Sequence, residues 1–80
     1  MMFYVYILRN ENDKHYIGYS SDLRKRLAAH NAGANKSTKH SQWSLIYYEA
    51  YLNESAARKR EIQLKHHGRA KQAILNRLGN

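Results

Sequence analysis

Two tyrosines, Tyr6 and Tyr16, stand on either side of a polar turn. Tyr6 closes the triplet Tyr4-Val5-Tyr6, and Tyr16 opens the triplet Tyr16-Ile17-Gly18. A phenol can donate or accept a proton, but with an ordinary pKa of about 10 it is a poor base at neutral pH without help. Arg26 and His30 follow within one short stretch, and Glu61 lies far downstream. A guanidinium can steady charge on a phosphate, and a carboxylate can hold a hard cation that keeps several waters. Such a set suits chemistry on a nucleic-acid phosphate, provided the fold brings the residues together.

The elements that must position them follow from pattern and punctuation. Phe3–Arg9 is rich in β-branched and aromatic residues and predicts a strand. The turn Asn10-Glu11-Asn12-Asp13-Lys14 leads into a returning strand, His15–Ser20. Ser21 or Asp22 can cap a helix over roughly 22–32, which Gly33 can end. Ala34–Gln42 is small and polar and predicts a loop. Trp43–Leu52 predicts a third strand, with Ile46, Tyr48, Ala50 and Leu52 alternating onto one face. Asn53 can cap a second helix, roughly 54–67, stopped near Gly68. Ala70, Ala73, Ile74 and Leu78 mark a third helix. The expectation is one α+β domain over 1–80, order ββαβαα, with a small three-stranded sheet flanked by helices.

A hairpin with Arg9 opposite His15 pairs Leu8 with Tyr16 and Tyr6 with Gly18. Tyr6 and Tyr16 then become diagonal neighbours on one face, and any even shift of register keeps them there. Gly18 beside Tyr6 leaves a gap for a backbone or ligand. Any single tyrosine is better read as a strand former packing a small core, and Tyr4, Tyr19, Tyr47, Tyr48 and Tyr51 are assigned that role. On the first helix Leu23, Arg26, Leu27 and His30 form the stripe that should face the core. An arginine there needs an anionic partner or must snorkel out at the sheet edge. His30 can pack as a hydrogen-bonded histidine or serve the site. Glu61 neighbours Ala57 and Leu64 on the second helix, so it can face the sheet, or it can pair on the surface with Lys65. Trp43 is assigned to the core.

Composition narrows the partners. The 80 residues carry a net charge of +8, from 14 Lys+Arg against 6 Asp+Glu. Cations that neutralise phosphates release counterions, so this balance favours a nucleic-acid partner. No cysteine is present, which excludes disulfides and zinc–thiolate sites and suits a reducing cytoplasm. The apolar start Met1–Leu8 is too short to cross a membrane and lacks the preceding charge of a signal peptide. No glycine loop of the phosphate-cradling kind and no serine nucleophile elbow occurs.

Taken together these residues resemble the GIY-YIG nuclease family, specifically its small stand-alone bacterial branch. The resemblance runs from Tyr4 to about Lys65. Tyr16-Ile17-Gly18 matches the second family triplet as written, whereas Tyr4-Val5-Tyr6 has a tyrosine in place of the first triplet's glycine. The family's helical arginine falls on Arg26, a histidine one turn later on His30, and its metal-binding glutamate on Glu61. The gap between triplets is slightly shorter than is usual, Tyr19 stands where many relatives place a small or polar residue, and no position is assigned to the asparagine that some relatives use near the metal.

The resemblance implies a metal-dependent DNA endonuclease. Tyr6 would help to activate water, Tyr16 would position or share that proton, Arg26 would stabilise phosphate charge, and His30 would orient water or phosphate. Glu61 would hold one Mg²⁺ or Mn²⁺. DNA, with RNA not distinguished from it, would be bound mainly through phosphates, with no membrane involvement. One alternative is a nucleic-acid-binding module without catalysis on the same fold. Another is an interaction module serving a repair or restriction protein.

Overall fold

Asn10 turns the chain back on itself. Its side-chain carbonyl accepts from the backbone N–H groups of Asn12 and Lys14, both at 2.9 Å, while Asp13 takes a left-handed φ of 61°. Aspartate tolerates that conformation because its short polar side chain bonds locally. The computed structural model in which this turn is seen describes residues 1–33 and 36–79. The turn joins β1 (Phe3–Asn10) to β2 (His15–Ser20) in antiparallel register, with Arg9 opposite His15, Leu8 opposite Tyr16 and Tyr6 opposite Gly18, as expected. After α1 (Leu23–Asn31) and a short 3₁₀ turn (Lys36–Thr38), β3 (Trp43–Tyr51) pairs antiparallel with the other side of β1. The sheet order is β2-β1-β3. Helices α2 (Glu54–His66) and α3 (Gly68–Arg77) complete the order ββαβαα, so the α+β class holds.

The helix ends follow their side chains. Asp22 caps α1 by accepting from the Lys25 N–H at 3.1 Å, and Asn53 caps α2 through the Ala56 N–H at 3.2 Å. Gly33, at φ 79°, closes α1 with its N–H on the His30 carbonyl. Gly68 begins α3 rather than ending α2, and His67 separates the two helices. The segment expected as loop contains the 3₁₀ turn, and its Ala34 and Asn35 lie outside the described residues.

Two small cores lie on opposite faces of the sheet. Val5, Ile7 and Ile17 pack with Ala57, Leu64 and Ile74 of α2 and α3. Tyr6, Leu8 and Trp43 pack with Tyr16 and with Leu23 and Leu27 of α1. Trp43 is a core residue, as expected.

The third strand departs from its expected alternation. Ile7 pairs with Tyr47 but Leu8 pairs with Leu45, so Ile46 is the extra residue of a bulge. A bulge shifts the side-chain phase by one. Ile46, Tyr47 and Tyr51 pack against the α2–α3 core, whereas Tyr48, Ala50 and Leu52 are exposed. Tyr48 was expected to pack the core and does not.

The face carrying Tyr47 and Tyr51 also carries Glu49. Its carboxylate accepts from both tyrosine hydroxyls and from Arg60 at 2.9 and 3.0 Å. Burial alone would raise the Glu49 pKa. The hydrogen bonds from Arg60, Tyr47 and Tyr51 outweigh it and hold the group below its ordinary value. Among the described residues, no helix is long and apolar enough to cross a membrane.

Candidate active site

The site starts from Gly18. A Cβ built there would lie 2.3 Å from the Tyr6 hydroxyl oxygen and 2.4 Å from its ring carbon. The gap expected beside Tyr6 is therefore filled by the Tyr6 phenol itself, which lies across the glycine. Tyr6 is 2% exposed. Its hydroxyl is hydrogen-bonded to Nε2 of His30 at 2.8 Å.

His30 is fully buried under α1. Its other ring nitrogen, Nδ1, is hydrogen-bonded to Oγ1 of buried Thr38 at 2.8 Å. The Thr38 carbonyl accepts from the Trp43 indole at 2.9 Å. Asn31 clamps the start of β3: its Nδ2 donates to the Trp43 carbonyl at 3.0 Å, and the Trp43 N–H donates to its Oδ1 at 2.7 Å. The Tyr16 ring meets His30 edge-on at 4.7 Å and lies 6.4 Å from the Tyr6 ring, on the shared face that the register requires. Both nitrogens of His30 are thus engaged and its ring is held by packing, so its orientation is fixed before anything binds.

Electrostatics follow from burial. Desolvation pushes the Tyr6 phenol far above its ordinary pKa. Tyr16 and Glu61 push the same way, and the Arg26 guanidinium opposes them. His30 is held below the ordinary histidine range, first by burial and then by Arg26. The buried pair therefore rests as neutral phenol and neutral imidazole.

Of the two places open to Arg26, facing the core or reaching outward, the structure has the second. It is exposed, so the inward stripe of α1 is Leu23, Leu27 and His30 without it. The reason is geometric: a nine-residue helix lying on a three-stranded sheet buries a narrow stripe, and Arg26 sits on its margin. There it lines a 440 Å³ cleft with Ser20, Ser21, Asp22, Lys25 and Ala29. It makes no ion pair with any described residue, and its charge acts on both Tyr6 and His30.

Glu61 comes from α2, packed on the other face. Its side chain is 21% exposed and pairs with Lys65 at 3.1 Å, and its charge acts on Tyr6. Ala57 and Leu64 are buried on the same stripe, and Ile62 points outward. Among the described residues, no three histidine or carboxylate side chains gather to hold a metal. A zinc site, which wants three or four protein ligands, does not fit. A lone carboxylate does fit a hard ion that keeps most of its waters and shares its shell with substrate phosphate.

Tyr6, Tyr16 and His30 are thus in direct contact, while Arg26 and Glu61 stand further out and act through charge. Tyr19 lies elsewhere, on the α2 face, stacked on Phe3 and hydrogen-bonded to Glu54, with Arg58 over its ring. Its bulk does not crowd the site. Thr38 and Asn31 were not anticipated from sequence, because a polar residue in an aperiodic loop or at a helix end carries no signal of its partner.

Residues 2–74 match the model of the GIY-YIG catalytic domain. A UPF0213 protein of Streptococcus pyogenes serotype M5 (strain Manfredo) is 41% identical over 66 residues, spanning 78% of this chain and 70% of that protein. A UPF0213 protein of Streptococcus pyogenes serotype M3 (strain ATCC BAA-595 / MGAS315) matches to the same extent. The solution NMR structure of the UPF0213 protein BH0048 from Bacillus halodurans superposes with a TM-score of 0.59 at 30% identity, covering 98% of this chain and 85% of that one. The chain belongs to the GIY-YIG nuclease family, among its UPF0213 members.

Proposed function

We propose that this domain is a metal-dependent DNA endonuclease that hydrolyses phosphodiester bonds, structure-directed rather than sequence-reading, and suited to repair or recombination intermediates. The observation that carries it is the buried Tyr6–His30 hydrogen bond, on both partners of which the charge of the cleft-lining Arg26 acts.

In this mechanism Tyr6 donates its O–H to His30 Nε2, and His30 carries its own proton on Nδ1 toward Thr38. As water attacks phosphorus, it gives a proton to the Tyr6 oxygen while the Tyr6 proton passes to Nε2. The phenol stays neutral overall, so its raised pKa is no obstacle, and the low pKa of His30 keeps the acceptor free. After the bond breaks the imidazolium passes its proton back to the Tyr6 oxygen, which gives up its own proton to solvent, and the leaving oxygen takes a proton from water, so Tyr6 and His30 both end neutral. Tyr16 holds the imidazole edge and keeps the relay aligned. Arg26 meets the phosphate oxygens, where preorganised charge is worth most in the transition state. Glu61 would hold one Mg²⁺ or Mn²⁺, releasing Lys65. That ion would supply charge stabilisation for the leaving oxygen. The +8 net charge supports binding through phosphates.

The test is nicking of supercoiled plasmid, and of branched, nicked and single-stranded DNA, with Mg²⁺ or Mn²⁺. Cleavage that is abolished by chelator is the expected result. DNA binding without cleavage of any substrate with either ion would replace this function with that of a binding module.

A further inference from the structure

A second groove meets the first at the N-terminus of α1. It encloses 380 Å³ and is lined by Tyr4, Leu23, Arg24, Leu45 and Tyr48, together with Ser21 and Asp22, which line the Arg26 cleft as well. Tyr48 is its main exposed apolar surface, at 53% exposure. Tyr4 meets the Tyr48 ring edge-on at 5.9 Å and braces it. Tyr48 is also the direct cross-strand partner of Tyr6 on β3, just as Gly18 is on β2. One row of the sheet therefore carries Gly18, the Tyr6 phenol and an exposed aromatic ring.

We propose that this groove is a stacking platform for an unpaired nucleobase next to the phosphate held at Arg26. The inference rests on the nucleic-acid reading of the site and narrows its substrate to DNA with a single-stranded or splayed nucleotide beside the reacting phosphate. Three features favour a nucleotide over an apolar peptide. Arg24 lines this groove, and Lys25 and Arg26 line the adjoining one, so the path between them matches a phosphate chain. The one acid in the path, Asp22, is engaged by the Lys25 N–H as the helix cap. The exposed group is a ring held in place by a second ring, and every base has a face that can stack on such a ring. A base inside an intact duplex is already stacked on both sides, so only an unpaired one can use it.

The experiment compares a short single-stranded oligonucleotide with the same strand carrying abasic residues at its centre. Affinities are measured by fluorescence anisotropy in chelator, so that no cleavage intervenes. Wild type should bind the base-bearing strand about tenfold more tightly, within the range for one base on an aromatic ring. Tyr48→Ala should bind both strands alike, and Tyr48→Phe should keep the preference. Because Tyr48 is exposed, these variants should fold, and the abasic comparison on wild type needs no variant at all. Equal affinity of wild type for the two strands overturns the platform, as does a preference that survives Tyr48→Ala. A Tyr48-dependent dimer in sedimentation without base preference overturns it in favour of a second copy of the chain. Base preference in a protein that never nicks DNA keeps the platform and removes the nuclease, and nicking without base preference does the reverse.

Discussion

The Tyr6 hydroxyl and His30 Nε2 lie 2.8 Å apart, joined through the buried interior between the central strand and the first helix. Gly18 makes the contact possible, because any side chain there would occupy the space of the phenol. Gly18→Ala should therefore displace the Tyr6 ring and break its bond to His30. The expected cost is about 1–3 kcal/mol of stability, as for other overpacked sites, with a larger loss in cleavage. Thermal melts and nicking rates measured together check this. Unchanged cleavage in a stably folded Gly18→Ala protein would show that the phenol need not lie over the glycine.

Lys65, paired with Glu61 at 3.1 Å, would compete with the proposed cation for that carboxylate. Glu61→Gln keeps the shape and removes the charge. Cleavage should fall on the order of 10²–10³-fold, the usual cost of one such electrostatic contact, with DNA affinity in chelator unchanged within a few-fold. Lys65→Met frees the carboxylate and should lower the Mg²⁺ concentration for half-maximal cleavage by about two- to fivefold, the worth of an exposed ion pair. Metal titrations of the nicking rate check both.

Arg26 and Arg60 should separate function from stability. Arg26 is exposed, so Arg26→Ala should leave stability within about 0.5 kcal/mol yet cut cleavage strongly. Arg60 donates to both oxygens of Glu49, so Arg60→Met should cost about 1–3 kcal/mol and leave the cleavage rate of the folded protein intact. Chemical denaturation beside single-turnover cleavage checks the contrast.

His30 sets a pH dependence with a definite sign. Its folded pKa is depressed, so the unfolded chain binds that proton more readily. Stability should fall as pH drops below the ordinary histidine value of about 6.5 and level off beneath the folded value. His30→Gln should flatten this fall. Melting temperatures followed from about pH 8 to pH 5 check it, and equal slopes for wild type and variant would contradict it.

Much of this arrangement was legible in the chain. The register with Arg9 opposite His15 was supposed rather than read from the turn, and the structure has it, but a period of two puts Tyr6 and Tyr16 on one face whatever the even slip. Helix caps at Asp22 and Asn53 are local chemistry and read directly. The bulge at Ile46 was not legible, because an extra residue in a strand of continuous apolar and aromatic character leaves no gap in the pattern. Which of its two places Arg26 takes was not legible, because periodicity gives a direction around a helix but not the width of the surface it covers. Thr38 was missed because its partner is eight residues away across a loop, and only tertiary structure brings the two together.

In the proposed reaction the Tyr6 hydroxyl, buried against His30, moves the proton of the attacking water. Tyr6→Phe removes that one oxygen and keeps the ring. Leaving His30 Nε2 without its partner should cost about 1–3 kcal/mol of stability, so the comparison is made well below the melting temperature. Single-turnover cleavage of plasmid at saturating protein and Mg²⁺ is the measurement. A fall of about 10²-fold or more, with DNA affinity in chelator unchanged, is the predicted result. Cleavage by Tyr6→Phe at the wild-type rate would rule out proton transfer through the phenol.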